Sequence, residues 1–145
     1  MIYGHGLNGS GTQVRGSFNG RIANMNHLIL YANSIPANQW GIFFYGPEEL
    51  QHPLGGGTLC IGGAVFRINP AIQANGAGLA MMQQLDLTKG PMGSGPGKIT
   101  PGSTWNFQYW YRDPSGPTYS GFNFTEEFRI GIDRDETANM HFNGK

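Results

Sequence analysis

Cys60, the only cysteine in the sequence, is the residue whose type most directly suggests covalent chemistry. A cysteine nucleophile needs a neighbouring base that lowers the pKa of its thiol. The nearest histidine along the chain is His52, and Cys60 itself lies in an apolar run with no base beside it. We therefore expect a buried structural thiol and a protein that is not an enzyme. An enzyme that combines Cys60 with His52 is the alternative.

The spacing of the histidines does not match a metal site. No two of them form a His-x-His or His-x-x-x-His pair, and no Cys-x-x-Cys pair is present, so we expect neither a metal nor a cofactor. Asp133, Asp135 and Glu136 bring three carboxylates together. A solvated surface run is the favoured interpretation of them, and calcium binding stays open because calcium needs six to eight oxygen ligands.

Aromatic side chains dominate residues 103–112. Trp105, Phe107, Tyr109 and Tyr111 alternate with Asn106, Gln108, Trp110 and Arg112, which predicts a strand with the first set facing the core. Trp110 then lies on the opposite face. An aromatic ring can stack on a sugar, and the candidate ligand-binding residues are Trp110 and Tyr119. Core packing or a subunit interface is the competing explanation for these aromatic side chains.

The elements that position these residues are predicted to be strands. The 145 residues include 24 glycines and 9 prolines, and only 12% are charged, which is typical of a turn-rich β protein. Period-two or short apolar runs over 14–23, 27–33, 40–45, 59–68 and 103–112 predict strands, with loops over 47–57 and 70–78. The expected fold is an all-β antiparallel β-sandwich of about seven or eight strands, jelly-roll-like or immunoglobulin-like, in one domain over 1–132.

Residues 133–145 are predicted to form a C-terminal extension. Ala138, Met140 and Phe142 alternate with polar residues, which favours a short strand and makes them candidate assembly residues. This strand either pairs with the edge of its own sheet or is donated to a neighbouring copy of the chain.

Charge and hydropathy exclude several partner classes. Nine basic residues balance nine acidic ones, so no charge excess favours nucleic acid, and no apolar run is long enough to span a membrane. The first residues do not resemble a signal peptide. Because the composition is typical of bacterial surface proteins, we expect that Met1 is not the native start and that the protein is extracellular or at the cell surface.

Six short blocks stand in order along the chain: GHG at 4–6, LILYA at 28–32, FYG at 44–46, CIGGAVFR at 60–67, WNFQYWYRD at 105–113 and FNFT at 122–125. Together they resemble a secreted domain found in surface proteins of planctomycete-type bacteria. The resemblance implies an extracellular β-sandwich module of surface or adhesion proteins, and it assigns no catalytic residues.

The function expected from these observations is structural or adhesive and non-catalytic. The expected partners are copies of the chain, which would build a filament or a cell-surface layer, or other surface proteins. Few charges and many aromatic side chains suit close packing between such copies. A carbohydrate-binding module, with glycans as partners, is the alternative.

Overall fold

The computed structural model describes residues 15–19, 28–100, 103–116, 120–125, 127–132 and 138–141. These residues form strands joined by turns, with two 3-10 turns at Gly90–Met92 and Gly95–Gly97. The strands are β1 (Arg15–Asn19), β2 (Leu28–Asn33), β3 (Trp40–Gly46), β4 (Glu48–Leu54), β5 (Gly57–Gly62), β6 (Phe66–Gln73), β7 (Ala80–Leu85), β8 (Thr104–Asp113), β9 (Gly121–Phe124), β10 (Phe128–Ile132) and β11 (Ala138–His141).

The strands build two sheets and a separate hairpin. A small sheet has the order β1-β2-β7, and a central sheet has the order β11-β10-β8-β3-β6 with β9 also paired to β8. Strands β4 and β5 form the hairpin. Every pairing between the described strands is antiparallel. The prediction of an all-β, antiparallel, sandwich-like fold is therefore confirmed.

The main core lies between the small sheet and the central sheet. It joins Leu30 and Ala80 of the small sheet to residues of the central sheet such as Phe43 and Tyr109. The predicted alternation of β8 is confirmed, because its core-facing side chains are all buried: Trp105, Phe107, Tyr109 and Tyr111. Burying these aromatic rings is the main favourable contribution to the free energy of folding at this interface.

The hairpin β4–β5 covers part of the outer face of the central sheet. Ile61 and Leu59 of β5 pack there against Phe44 and Phe124, and form a second, smaller core.

The prediction of a loop over 47–57 was wrong for most of that range, because Glu48–Leu54 form strand β4. The loop predicted over 70–78 was wrong at its start, since β6 continues to Gln73. The predicted strand over 59–68 is two strands, because the chain turns at Gly63 with a φ of 69°.

Candidate functional site

The outer face of the central sheet has a covered half and an open half. Alternation along β3 and β8 directs Ile42, Phe44, Gln108 and Trp110 to this face, away from the main core. The hairpin lies over Phe44 and Gln108 and buries both side chains. The open half is the part beyond the hairpin, and it carries Trp40, Ile42, Arg67, Trp110, Arg112 and Phe122.

Gln108 holds the hairpin on the covered half. This side chain is fully buried. Its Oε1 accepts a hydrogen bond from the Cys60 backbone N–H at 3.0 Å. Its Nε2 donates to the carbonyl oxygens of Thr58 and Thr125, both at 2.8 Å. One amide thus joins the hairpin to β8 and to the segment that follows β9.

Two further contacts fix where the hairpin ends and the open half begins. Arg129 of β10 forms an ion pair with Glu49 of β4, and its Nε donates to Oδ1 of Asn106 at 3.1 Å. At the hairpin tip, the Gly56 N–H donates to the Phe122 carbonyl at 3.1 Å. Gly55 has a φ of 60°, and a side chain there would overlap the Phe122 ring, so the tip needs glycine.

Trp110 is held in place by aromatic neighbours and by a cation. Its ring lies 5.8 Å from that of Phe122, edge to face, and 6.3 Å from that of Phe124, nearly parallel. The Arg67 guanidinium carbon lies 5.8 Å from the centre of the Trp110 ring. These distances are those of favourable aromatic and cation–π contacts. The ring is therefore positioned before any ligand arrives, although 36% of the residue surface remains exposed.

Trp40 lies beside Trp110 and is exposed over 49% of its surface. Ile42 of β3 pairs with Trp110 of β8. Trp40 is two residues before Ile42 and faces the same side of the sheet, so it is a diagonal neighbour of Trp110. Diagonal neighbours on one sheet face lie about 7–8 Å apart. The two rings are therefore close enough to contact one short oligosaccharide.

Two depressions meet at Trp110. The first, here called the tryptophan cleft, has a volume of about 680 Å³, and its lining includes Trp40, Ala71, Trp110, Arg112 and Ser120. The second, here called the apolar depression, has a volume of about 210 Å³ and is lined by Leu54, Leu59, Val65 and Arg67 among others. The volume of the tryptophan cleft lies in the range typical of small-ligand sites.

The predicted ligand-binding pair is described only in part. Trp110 lies on the outer face as predicted, while Tyr119 is outside the described residues. The structure adds Trp40, which the sequence analysis placed in the short apolar strand over 40–45. A signal for Trp40 was present, because this residue begins the run directly after the polar segment Asn38-Gln39.

The geometry separates Cys60 from His52. His52 pairs with Leu59, so its side chain and that of Cys60 lie on opposite faces of the hairpin. His52 is exposed, whereas Cys60 is fully buried. Burial, with a smaller contribution from the charge of Glu127, raises the pKa of the Cys60 thiol to about 12. This environment disfavours a thiolate, and the pairing of Cys60 with His52 has no geometric support.

The C-terminal strand pairs within its own chain. Ala138 and Met140 lie in β11, which pairs with β10 at the edge of the central sheet. This pairing is the first of the two arrangements predicted for the strand, and donation to a neighbouring copy stays a prediction. Phe142 and the acidic run at 133–136 lie outside the described residues.

Among the described residues, no three His, Cys, Asp or Glu side chains are grouped so as to hold a metal ion. Within the same part of the chain, no helix has the length and hydropathy of a membrane span. Comparisons with family models, with curated proteins and with solved structures found no match.

Proposed function

We propose that this protein is a non-catalytic, extracellular adhesive module that binds carbohydrate through the open half of its central sheet. The observation that carries the proposal is the pair of exposed tryptophans, Trp40 and Trp110, on one cleft. The extracellular part of the proposal is supported by the sequence resemblance to secreted surface domains.

The chemistry of tryptophan suits a sugar. A pyranose ring has a face of C–H groups surrounded by hydroxyls, and an indole has a flat apolar face and one N–H donor. Single exposed apolar side chains are ordinary on a protein surface, whereas adjoining exposed apolar side chains that form a patch mark interaction sites. Two tryptophans at diagonal positions on one sheet offer a surface for successive sugar rings.

Rigidity adds to this argument. Trp110 is packed against Phe122 and Phe124, and β9 is bonded through Phe122 to the hairpin tip. A ring that is already ordered loses little conformational entropy when a ligand stacks on it. The open half is therefore suited to weak but specific binding, which repeated copies on a surface would strengthen.

Self-association is the second candidate function, and the apolar depression favours it. Leu54 and Val65 are exposed beside Trp110, so that apolar side chains continue from the tryptophan cleft towards the hairpin. Apolar patches of this kind also occur at interfaces between protein copies. A filament or surface layer would bury the same residues that a glycan would contact.

A glycan array with purified protein tests the first candidate. We expect binding to a subset of oligosaccharides that is weakened at least tenfold, or about 1.4 kcal/mol, by Trp110→Ala and by Trp40→Ala. Leu50→Ala is the matched control, because Leu50 is an exposed apolar side chain of the hairpin outside both depressions. Urea unfolding of each variant verifies that the fold is kept.

Light scattering on the same samples separates the two candidates. A monomer that binds glycans supports the adhesive module. Assemblies that Trp110→Ala dissolves, together with an empty glycan array, would contradict carbohydrate binding and support self-association.

A further inference from the structure

The charges of the open half are of one sign. Arg67 and Arg112 are the charged side chains among the described residues that line the tryptophan cleft and the apolar depression, and none of those lining residues is acidic. The whole chain has no net charge. The positive charge is therefore a local property of this surface and not a consequence of composition.

The two arginines lie on the same sheet face as Trp110, one on β6 across β3 and one further along β8. Arg67 belongs to β6 and contacts the ring through its guanidinium group. Arg112 is two residues beyond Trp110 on β8, so it lies on the same face about 7 Å further along the strand. The last β3–β8 pair is Gly41 with Tyr111, and Trp40 and Arg112 are the next residues beyond it on their strands. A ligand that stacks on either tryptophan therefore meets a guanidinium group.

From this placement, we infer that the open half binds acidic saccharides, in which a carboxylate or sulfate group is attached to the sugar ring. The inference rests on the carbohydrate-binding function proposed above and names its substrate class. The sugar ring lies against Trp40 and the part of the Trp110 indole that Arg67 and Phe124 leave exposed, and the anionic group accepts hydrogen bonds from Arg67 or Arg112. Guanidinium presents paired N–H donors that match the geometry of carboxylate and of other oxyanions.

The test compares saccharides that differ in charge, and two of them have the same sugar ring. The probes are a tetrasaccharide of galacturonic acid, its neutral methyl ester, a sulfated chondroitin tetrasaccharide and neutral maltotetraose, with polyglutamate as a polyanion without sugar. Calorimetric titration at low and at physiological salt gives the affinity of the monomeric chain for each. Galacturonate carries carboxylates alone, whereas the chondroitin probe carries carboxylates and sulfates, so tighter binding of the chondroitin probe would show that sulfate contributes.

We expect an acidic tetrasaccharide to bind at least tenfold more tightly than the neutral sugars, with an affinity that falls as salt rises. Arg67→Gln and Arg112→Gln should each weaken the binding of the acidic tetrasaccharide by about tenfold, and Arg112→Gln should weaken the binding of the methyl ester much less than that. Arg112→Gln is the cleaner variant, because Arg67 also contacts the Trp110 ring. Arg67→Lys keeps the positive charge, so this variant should bind the acidic tetrasaccharide more tightly than Arg67→Gln does.

Failure of this inference is distinguishable from failure of the proposed function. Equal affinities for galacturonate and its methyl ester, with Trp110→Ala still harmful, would overturn the acidic preference and leave carbohydrate binding intact. Equal affinity for polyglutamate would overturn it too, since the surface would then recognise charge without a sugar. The absence of binding to every saccharide would overturn both.

Discussion

Gln108 offers a direct test of how the open half is delimited, because one buried amide holds the hairpin on the sheet. Gln108→Leu keeps a side chain of similar size but removes the bonds to the Cys60 N–H and to the Thr58 and Thr125 carbonyls. Cys60 and Thr125 are fully buried, so water does not readily replace the lost partner at those two groups.

The magnitude follows from the cost of leaving buried polar groups without a partner. Each such group costs about 1–3 kcal/mol, and a bond at the partly exposed Thr58 contributes about 1 kcal/mol. The added apolar surface of leucine offsets part of this cost. We therefore expect a loss of about 3 kcal/mol in the free energy of unfolding. With a urea m-value of about 2 kcal/mol/M, the unfolding midpoint falls by about 1.5 M.

Two measurements verify this prediction. Urea unfolding gives the midpoint, and a thiol reagent at pH 8 measures exposure of Cys60, which is protected in the native protein by burial and by a pKa raised to about 12. Gln108→Leu should lower the midpoint and accelerate labelling at least tenfold.

Gln73→Leu is the matched control, because Gln73 is exposed and its Nε2 donates to the Asn38 carbonyl at 3.0 Å. This control should change the free energy of unfolding by less than about 0.5 kcal/mol. An unchanged midpoint and unchanged labelling in Gln108→Leu would refute the role of the amide.

Two further predictions concern stability. Burial raises the pKa values of Tyr45, Tyr109 and Tyr111 above their ordinary value, with the charge of Asp113 adding to the effect at Tyr111. As pH rises, the unfolded chain releases these phenol protons before the folded chain does. The free energy of unfolding is therefore retained below pH about 10 and falls above it, by up to about 4 kcal/mol per pH unit for three phenols. A urea midpoint that stays constant to pH 11 would contradict this. Gly41→Ala should cost about 2–3 kcal/mol in urea unfolding, since its methyl group would overlap the Tyr109 ring and the Trp110 carbonyl. Gly76→Ala, where the surroundings are open, should be nearly neutral, and equal costs for the two variants would refute the packing argument.

The core face of the central sheet was predictable because it depends on a local period of two. The alternation over β8 directs Trp105 and Tyr109 inward and Trp110 outward in any sheet, whichever strands lie beside it. The pairing of β1 with β2 was predictable for the same reason, since both are short alternating runs next to each other in sequence.

The covering of the outer face was not predictable from local pattern. Strand β4 is exposed along its whole length and has no apolar alternation, so its sequence resembles a loop. Its pairing depends on β5, and the docking of the hairpin depends on Gln108, which is 48 positions from Cys60. Burial of Phe44 and exposure of Trp40 on the same strand are consequences of where that hairpin ends.

The three tryptophan indoles allow the most direct test of the central claim, that the open half of the sheet binds saccharide. Trp40 and Trp110 lie on the open half, while Trp105 is buried and its Nε1 donates to Ser103 Oγ at 2.9 Å, so it is an internal control. The measurement is an NMR titration of the indole N–H signals with neutral and acidic tetrasaccharides.

Carbohydrate binding predicts that at least one saccharide shifts the Trp40 and Trp110 signals while the Trp105 signal stays in place. Signals that respond to none of the sugars but shift or broaden with protein concentration alone would contradict the claim, and would identify the open half as a contact between copies of the chain.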